Sequence, residues 1–96
     1  MNDARADLVG PVIEASDAGR AIVAAILSSN PGAFVEDRGA YLRVRAAHRC
    51  LLTREAAERE LGHPFRLPTD LEPLMPAFKG MIRIAPDAVE WSFPGR

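Results

Sequence analysis

The fold class is decided by the stretch AFVEDRGAYLRVRA, residues 33–46. Two short runs with strand character flank the residues Asp-Arg-Gly at 37–39, which are typical of a tight turn, so a β-hairpin is predicted. In the second run, apolar residues alternate with one aromatic and two basic residues, in the order Tyr41, Leu42, Arg43, Val44, Arg45, Ala46. This period of two predicts a strand with one buried and one exposed face.

A strand is also predicted before the hairpin. The apolar run Leu8–Ile13 contains Pro11, which lacks a backbone donor, so an edge or early strand is expected. Residues 1–8 are mostly polar and are predicted to form a flexible N-terminal tail. Residues 9–96 are then expected to fold as a single domain, because 96 residues leave no room for two independent cores.

A helix is expected between this strand and the hairpin. Ser16 or Asp17 is a suitable N-cap. The predicted apolar face of the helix consists of Ile22, Val23, Ile26 and Leu27. The helix is expected to end near Asn30, because Pro31 disfavours the helical conformation of the residue before it.

The second half of the chain predicts a helix, a short helical turn and a second strand pair. Thr53 is a good N-cap for a charged helix that runs to Gly62, and two prolines limit the next helical segment to one or two turns. The runs Met81–Ile84 and Val89–Phe93 alternate and are expected to pair, with Trp91 in the core. The predicted fold is therefore α+β in the order β-α-β-β-α-(short α)-β-β, a mostly antiparallel sheet packed against two or three helices.

Composition excludes several classes of function. The chain has 12 basic and 13 acidic residues and a formal net charge of -1, so no overall field attracts nucleic acid or an anionic membrane. Its apolar runs are far shorter than the ~20 residues of a transmembrane helix, and its polar start lacks the features of a signal peptide. The single Cys50 agrees with a reducing compartment. We therefore expect a cytoplasmic protein without a nucleic-acid or membrane partner.

The sequence offers little for catalysis. Its only histidines are His48 and His63, and no GxGxxG or Walker-type loop follows a predicted strand. His48 and Cys50 are spaced as two metal ligands can be, but further ligands are absent nearby in sequence. A surface histidine and a buried, unreactive thiol are the favoured interpretation. The residues by themselves therefore mark no catalytic, metal or nucleotide site.

The predicted strand face with Tyr41, Arg43 and Arg45 has three interpretations. It is a solvated face, a surface that stacks on single-stranded nucleic acid, or a contact for another protein. The near-neutral chain and the single aromatic residue on this face favour a solvated face over nucleic acid.

Five segments in order resemble the effector proteins of soluble diiron monooxygenases, the family of the methane monooxygenase regulatory protein and the phenol hydroxylase activator. They are VGPVIEASD (9–17), NPG (30–32), VEDRGAYLRVRA (35–46), LLTREAAERELGHPF (51–65) and FKGMIRI (78–84). The resemblance extends from about residue 9 to residue 93. It is closest to the toluene 4-monooxygenase type. The segment before Val9 is short, so docking through a long tail is not expected.

This resemblance implies a non-catalytic, cofactor-free effector that docks on the hydroxylase subunit holding the diiron centre. Such proteins adjust the iron ligands, gate the access of substrate and oxygen, and couple electron delivery to hydroxylation. The hydrocarbon stays open among toluene, benzene, an alkene and isoprene, and the free protein is expected to be a monomer. The alternative is a small-ligand-binding regulatory domain of ferredoxin-like fold, which fold alone does not distinguish.

The resemblance and the expected exposure together predict a partner-binding surface in three parts. These are the start of the first strand (Val9, Gly10), the turn after the first helix (Asn30, Pro31, Gly32) and the strand face with Arg38, Tyr41 and Arg43. Each part also has a purely structural explanation, since Asn30 and Gly32 can simply end the helix and Arg43 can simply be solvated.

Overall fold

The structure of the protein is a computed structural model that describes residues 7–93. Within this range the elements are β1 (Leu8–Glu14), α1 (Asp17–Ser29), β2 (Phe34–Asp37), β3 (Tyr41–Ala47), β4 (Arg49–Thr53), α2 (Arg54–Leu61), a 3-10 helix (Glu72–Leu74), β5 (Ala77–Lys79), β6 (Met81–Ala85) and β7 (Ala88–Ser92). The predicted α+β class and the predicted order of elements are confirmed. The structure adds two strands, β4 and β5, and divides the strands between two antiparallel sheets.

β1 lies inside the first sheet, whose strand order is β2-β3-β1-β5. Of the two positions expected for the strand with Pro11, edge or early, the edge position is therefore wrong, and β1 is the first strand of the chain. The ladder between β1 and β3 is interrupted at Gly10 and Pro11, between the paired positions Val9 and Val12. Pro11 is tolerated inside the sheet because its missing backbone donor falls at this interruption.

Two residues with positive φ carry the chain from the first sheet to the second, whose order is β4-β7-β6. His48 (φ 67°) separates β3 from β4, and Gly80 (φ 111°) separates β5 from β6. The sequence predicted neither β4 nor β5. β4 follows β3 without the glycine or proline that usually marks a strand end, and β5 has only three residues.

Both helices begin and end where the sequence predicts. The hydroxyl groups of Ser16 and Thr53 accept backbone N–H bonds from the first turns of α1 and α2, at 3.0 and 3.1 Å. α1 ends before Asn30, and α2 ends at Gly62, whose φ of 79° is left-handed. α1 packs on α2 and on strands of both sheets.

The hydrophobic core lies between the helices and the two sheets. Trp91 is 0% exposed and Phe93 packs partly buried against the core, which confirms the predicted position of Trp91. The alternation predicted for β3 is confirmed as well, since Leu42, Val44 and Ala46 are buried while their neighbours are exposed or half-buried. The other large, fully buried side chains are Val9, Pro11, Ile13, Ile22, Ile26, Cys50, Leu52, Leu71 and Val89.

The fold includes part of the predicted N-terminal tail. Residues 1–6 of that tail lie outside the described residues. The Asp7 carbonyl oxygen accepts from the His48 N–H at 3.0 Å, and Leu8 begins β1 opposite Ala47. β3 and the corner at His48 therefore hold these two residues against the rest of the fold. Across residues 7–93, none of the helices is both long and apolar enough to cross a membrane.

Candidate partner-binding surface

The first sheet has one face against the helices and one face turned away from them. Ile13, Leu42 and Val44 lie on the helix side and belong to the core. The residues that alternate with them lie on the opposite side. We call this side the outer face, and it consists of Gly10, Val12, Glu14, Phe34, Glu36, Tyr41, Arg43, Arg45, Ala77 and Lys79.

The strand register arranges the outer face in rows. The first row runs across four strands as Glu36, Arg43, Val12 and Ala77. The second row runs as Phe34, Arg45, Gly10 and Lys79, because Gly10 lies against the backbone at Val44 and Arg45. Tyr41 and Glu14 are paired in a third row near the hairpin turn. The outer face thus combines aromatic, basic and acidic side chains in a defined order.

A depression interrupts the second row at Gly10. This residue has a φ of 144°, and a Cβ atom here would collide with the carbonyl oxygen of Val44, so the position requires glycine. The open cavity above it has a volume of about 220 Å³, and its lining includes Arg43, Arg45 and Lys79. The first sheet therefore presents basic side chains around Gly10, a position that has no side chain to fill the space above it.

The cations of the outer face differ in their partners. Glu36 Oε1 lies 3.2 Å from Arg45 Nε and 3.5 Å from a guanidinium nitrogen of Arg38. Within the described residues, Arg43 and Lys79 form no ion pair with a carboxylate. Among the described residues, the carboxylate of Glu36 is therefore shared by Arg45 and Arg38 and does not pair with Arg43 or Lys79.

The structure brings three of the predicted site residues together at this face. Tyr41 is 45% exposed, Arg43 is half-buried at its centre, and Arg38 lies in the exposed hairpin turn. Gly10 joins them as the floor of the depression. Val9 does not, because it is 1% exposed and its side chain packs where a Cβ on Gly80 would lie.

The turn after α1 is a second, separate part of the predicted surface. Asn30 Nδ2 donates to the carbonyl oxygens of Ile26 (2.6 Å) and Leu51 (2.7 Å), and Asn30 Oδ1 accepts from the Leu51 N–H at 2.9 Å. Asn30 therefore ties the end of α1 to β4, so its side chain is already occupied. Pro31 and Gly32 are exposed beside it, near Ala47 at the end of β3.

The two parts of the predicted surface lie toward opposite ends of β3. A strand rises about 3.4 Å per residue, so Tyr41 and Ala47 are roughly 20 Å apart along it. Arg38 and Tyr41 lie at the first end, and Pro31 and Gly32 at the second. A single partner must therefore cover the length of this strand to contact both parts.

Sequence reasoning missed several exposed residues of this region. Phe34 on β2 and Phe78 on β5 are 44% and 43% exposed, and Lys79 lies opposite Gly10. No sequence pattern marked Phe34 or Phe78 as exposed, because apolar aromatic residues are more often buried. Their exposure follows from the strand order, because β2 and β5 are the two edges of the first sheet.

The residues weighed for metal or catalytic chemistry are placed apart from the outer face. Burial raises the pKa of the Cys50 thiol to about 12, so the thiol is neutral and unreactive at physiological pH. His48 is exposed, with Nδ1 3.5 Å from Asp7 Oδ2. Across residues 7–93, no three His, Cys, Asp or Glu side chains are grouped to hold a metal ion.

Comparison with known proteins identifies relatives over almost the whole chain. The sequence model of the MmoB/DmpM family matches residues 7–92. The effector subunit of the alkene monooxygenase system of Xanthobacter autotrophicus is 36% identical over 95 residues, which cover 97% of this chain and 93% of that protein.

Two solved structures of phenol hydroxylase in complex with its regulatory protein each contain a chain of the same fold. The first superposes with a TM-score of 0.82 at 23% identity and covers 90% of this chain and 98% of that chain. The second has a TM-score of 0.77 at 24% identity and covers 90% of this chain and 99% of that chain. At these identities the likeness establishes the fold.

Proposed function

The protein belongs to the MmoB/DmpM family, and on that premise we propose that it is the effector of a bacterial multicomponent monooxygenase and binds its diiron hydroxylase. It is a regulatory component rather than an enzyme. The observation that carries the proposal is the match to an effector subunit at 36% identity over 97% of this chain. The alternative, a small-ligand-binding regulatory domain, is not favoured.

An effector without catalytic groups acts through its binding energy. A ligand shifts a conformational equilibrium only if it binds one conformation more tightly than the other. A shift from 1:99 to 99:1 requires a difference in affinity of about 10⁴-fold. The effector therefore stabilises the hydroxylase conformation whose active site turns over with best coupling, and a rigid contact surface serves this purpose.

The proposed hydroxylase contact is the outer face with its neighbouring turns. Tyr41 and Arg43 are candidate anchors, because Tyr and Arg are enriched among residues that dominate binding energies. Arg38, Pro31 and Gly32 extend the contact toward the two ends of β3. Gly10 contributes by leaving space, while Val9 and Asn30 hold neighbouring parts of the surface in place.

The system that this effector serves oxidises a hydrocarbon. The relative from Xanthobacter autotrophicus belongs to an alkene monooxygenase system, and the structural relatives belong to phenol hydroxylases. The toluene-type resemblance remains a prediction, as do the cytoplasmic location and the monomeric state. Light scattering of the purified protein tests the monomeric state directly.

The test is reconstitution with a hydroxylase, its reductase and its ferredoxin. Product formed per NADH consumed is recorded as the effector is added. We expect turnover and coupling to rise and to saturate near one effector per active site. If alkene, aromatic and phenol hydroxylases all show unchanged turnover and coupling, the proposed function is wrong.

A further inference from the structure

We propose that the depression above Gly10 receives an acidic side chain, Asp or Glu, from an apolar segment of the hydroxylase. This inference rests on the proposed function and adds the chemistry of the partner surface. The receiving site consists of Arg43, Arg45 and Lys79 around the glycine floor.

The positions of the cations suit a single carboxylate. Arg45 and Lys79 flank Gly10 in the same row, on the strands to either side of it. Neighbouring strands lie roughly 4.8 Å apart, so the backbones of β3 and β5 are about 10 Å apart. A carboxylate placed over Gly10 lies between the two cationic side chains, and no side chain on β1 occupies that space.

The charges around the depression are unbalanced. Its described lining has three basic residues and no acidic one. Glu36 reaches Arg45 from the β2 side, and this carboxylate is outside the lining. Arg43 is half-buried and the Arg45 side chain is 21% exposed, so an incoming carboxylate meets cationic side chains that are already partly shielded from solvent. Charge-assisted hydrogen bonds of this kind are about twice as strong as neutral ones.

The apolar part of the site indicates a protein segment rather than a free anion. Val12, Ala77 and Phe78 line the same depression. The exposed Phe34 lies next to Arg45 in the second row of the outer face, on the edge strand β2. A free anion leaves these carbons in water, whereas an acidic residue within an apolar segment covers them and excludes water from the ion pair.

Charge reversal tests the role of the cations. Lys79→Glu and Arg43→Glu are titrated singly into the reconstituted monooxygenase, and the half-saturating concentration is read separately from the plateau. We expect the half-saturating concentration to rise about tenfold or more for each variant, because repulsion between two carboxylates replaces the attraction between a cation and a carboxylate. Arg59→Glu is the control, since Arg59 is an exposed cation on α2, away from this face. It is expected to change the half-saturating concentration by less than about threefold.

A steric variant tests the depression itself. Ala77→Trp keeps all the cations and fills the space above Gly10 from an exposed position on β5. It is expected to raise the half-saturating concentration as much as charge reversal does. Thermal unfolding monitored by circular dichroism verifies that each variant is folded before the titration.

The outcomes separate the inference from the proposed function. A wild-type protein that stimulates no hydroxylase overturns both. If the wild type stimulates the hydroxylase and the Lys79, Arg43 and Ala77 variants have the same half-saturating concentration as the wild type, the inference is wrong but the proposed function stands.

Two other occupants are also distinguished. Inorganic phosphate is titrated into the free wild type and into Lys79→Glu, and the Gly10 amide resonance is followed by NMR. A shift in the wild type alone, together with an unchanged half-saturating concentration for hydroxylase in the variants, would identify a free-anion site. A wild-type dimer that Lys79→Glu dissociates, again with unchanged saturation, would identify a second copy of this chain. Either result overturns the inference.

Discussion

The two sheets of this protein differ in how their outward cations are arranged. In the second sheet, the guanidinium of Arg49 contacts the carboxylate of Glu90, and Arg83 lies opposite Glu90 in register. In the first sheet, Arg43 and Lys79 have no carboxylate partner within the described residues. Within the described residues Arg83 likewise forms no ion pair, but the first sheet gathers its two unpaired cations, Arg43 and Lys79, around one depression.

Both sheets bury their inner faces, and the first contributes Ile13, Leu42 and Val44 to the core. The second sheet contributes Trp91, Val89, Cys50 and Leu52 to the core, all 0% exposed. The outer face of the first sheet has a glycine floor and exposed aromatic residues. Paired surface charges contribute only ~0–1 kcal/mol each to stability, so leaving two unpaired costs the fold little. The first sheet thus contributes to the core through its inner face and leaves its outer face available for recognition.

The largest expected effect comes from opening the second sheet. Trp91→Ala is expected to lower the free energy of unfolding by about 3–5 kcal/mol, because it leaves a cavity in the core. Urea unfolding followed by circular dichroism measures it. Met81→Ala on β6 is the control, because Met81 is 57% exposed, and it is expected to stay within ~0.5 kcal/mol of the wild type. Equal losses in both variants would contradict the assignment of Trp91 as the centre of the core.

A milder variant sharpens this prediction. The indole Nε1 of Trp91 has no hydrogen-bond partner among the described residues. Trp91→Phe removes this unsatisfied donor together with some packing, and removing an unpaired buried donor is favourable. We therefore expect Trp91→Phe to cost less than half as much stability as Trp91→Ala.

The next largest effect on the free energy of unfolding is expected where α1 joins the second sheet. Asn30→Ala removes the three hydrogen bonds to Ile26 and Leu51 and leaves their backbone groups unpaired. We expect a loss of about 1–2 kcal/mol in the free energy of unfolding. Stimulation by the folded Asn30→Ala protein should remain near normal at saturation. Pro31→Ala is the matched control, with unchanged stability and a higher half-saturating concentration. The reverse pattern would make Asn30 the contact and Pro31 the structural residue.

A smaller effect is expected at alkaline pH from the buried thiol of the second sheet. The pKa of Cys50 rises from its ordinary value of 9.0 to about 12 on folding, because burial disfavours the thiolate. The unfolded state therefore loses this proton first, so the stability from the neutral thiol is complete below pH 9 and declines between pH 9 and 12. Unfolding of wild type and Cys50→Ala is compared across that range. A decline of the same slope in both proteins would refute the assignment.

The smallest effect on stability is expected on the outer face. Tyr41→Ala should change the free energy of unfolding by less than ~0.5 kcal/mol, because this side chain is half exposed. It should raise the half-saturating concentration for hydroxylase about fivefold, which corresponds to ~1 kcal/mol of binding. Ile84→Ala, at a residue 46% exposed on the second sheet, is the control and should change neither quantity. A normal titration with Tyr41→Ala would remove this residue from the contact.

The predictable features of the fold are those that depend on neighbours in sequence. The hairpin turn, the caps at Ser16 and Thr53 and the helix end at Gly62 each involve residues within a few positions of one another. Asn30 shows the limit. Its helix-ending role was predicted, but its bonds to Leu51 join residues 21 positions apart, and only the packing of α1 on β4 reveals them.

The candidate site was predicted in part for the same reason. Tyr41 and Arg43 share a strand face by the period of two, and this could be read from the sequence. Val9 was predicted at the surface because the sequence does not show that Gly80 and its neighbours pack over it. Lys79 was missed because β5 pairs with β1 only in the folded chain.

The sequence by itself determined the α+β class, the order of the predicted elements, the helix caps and the family. These features follow from short-range patterns, such as periodicity and capping, or from residues held in common with relatives. Only the tertiary structure decided that β1 lies inside a sheet, that two corners divide the strands into two sheets, and that a glycine lies among three cations. Such features depend on contacts between distant residues, and the strand order that creates them is set by how the whole chain buries its apolar surface.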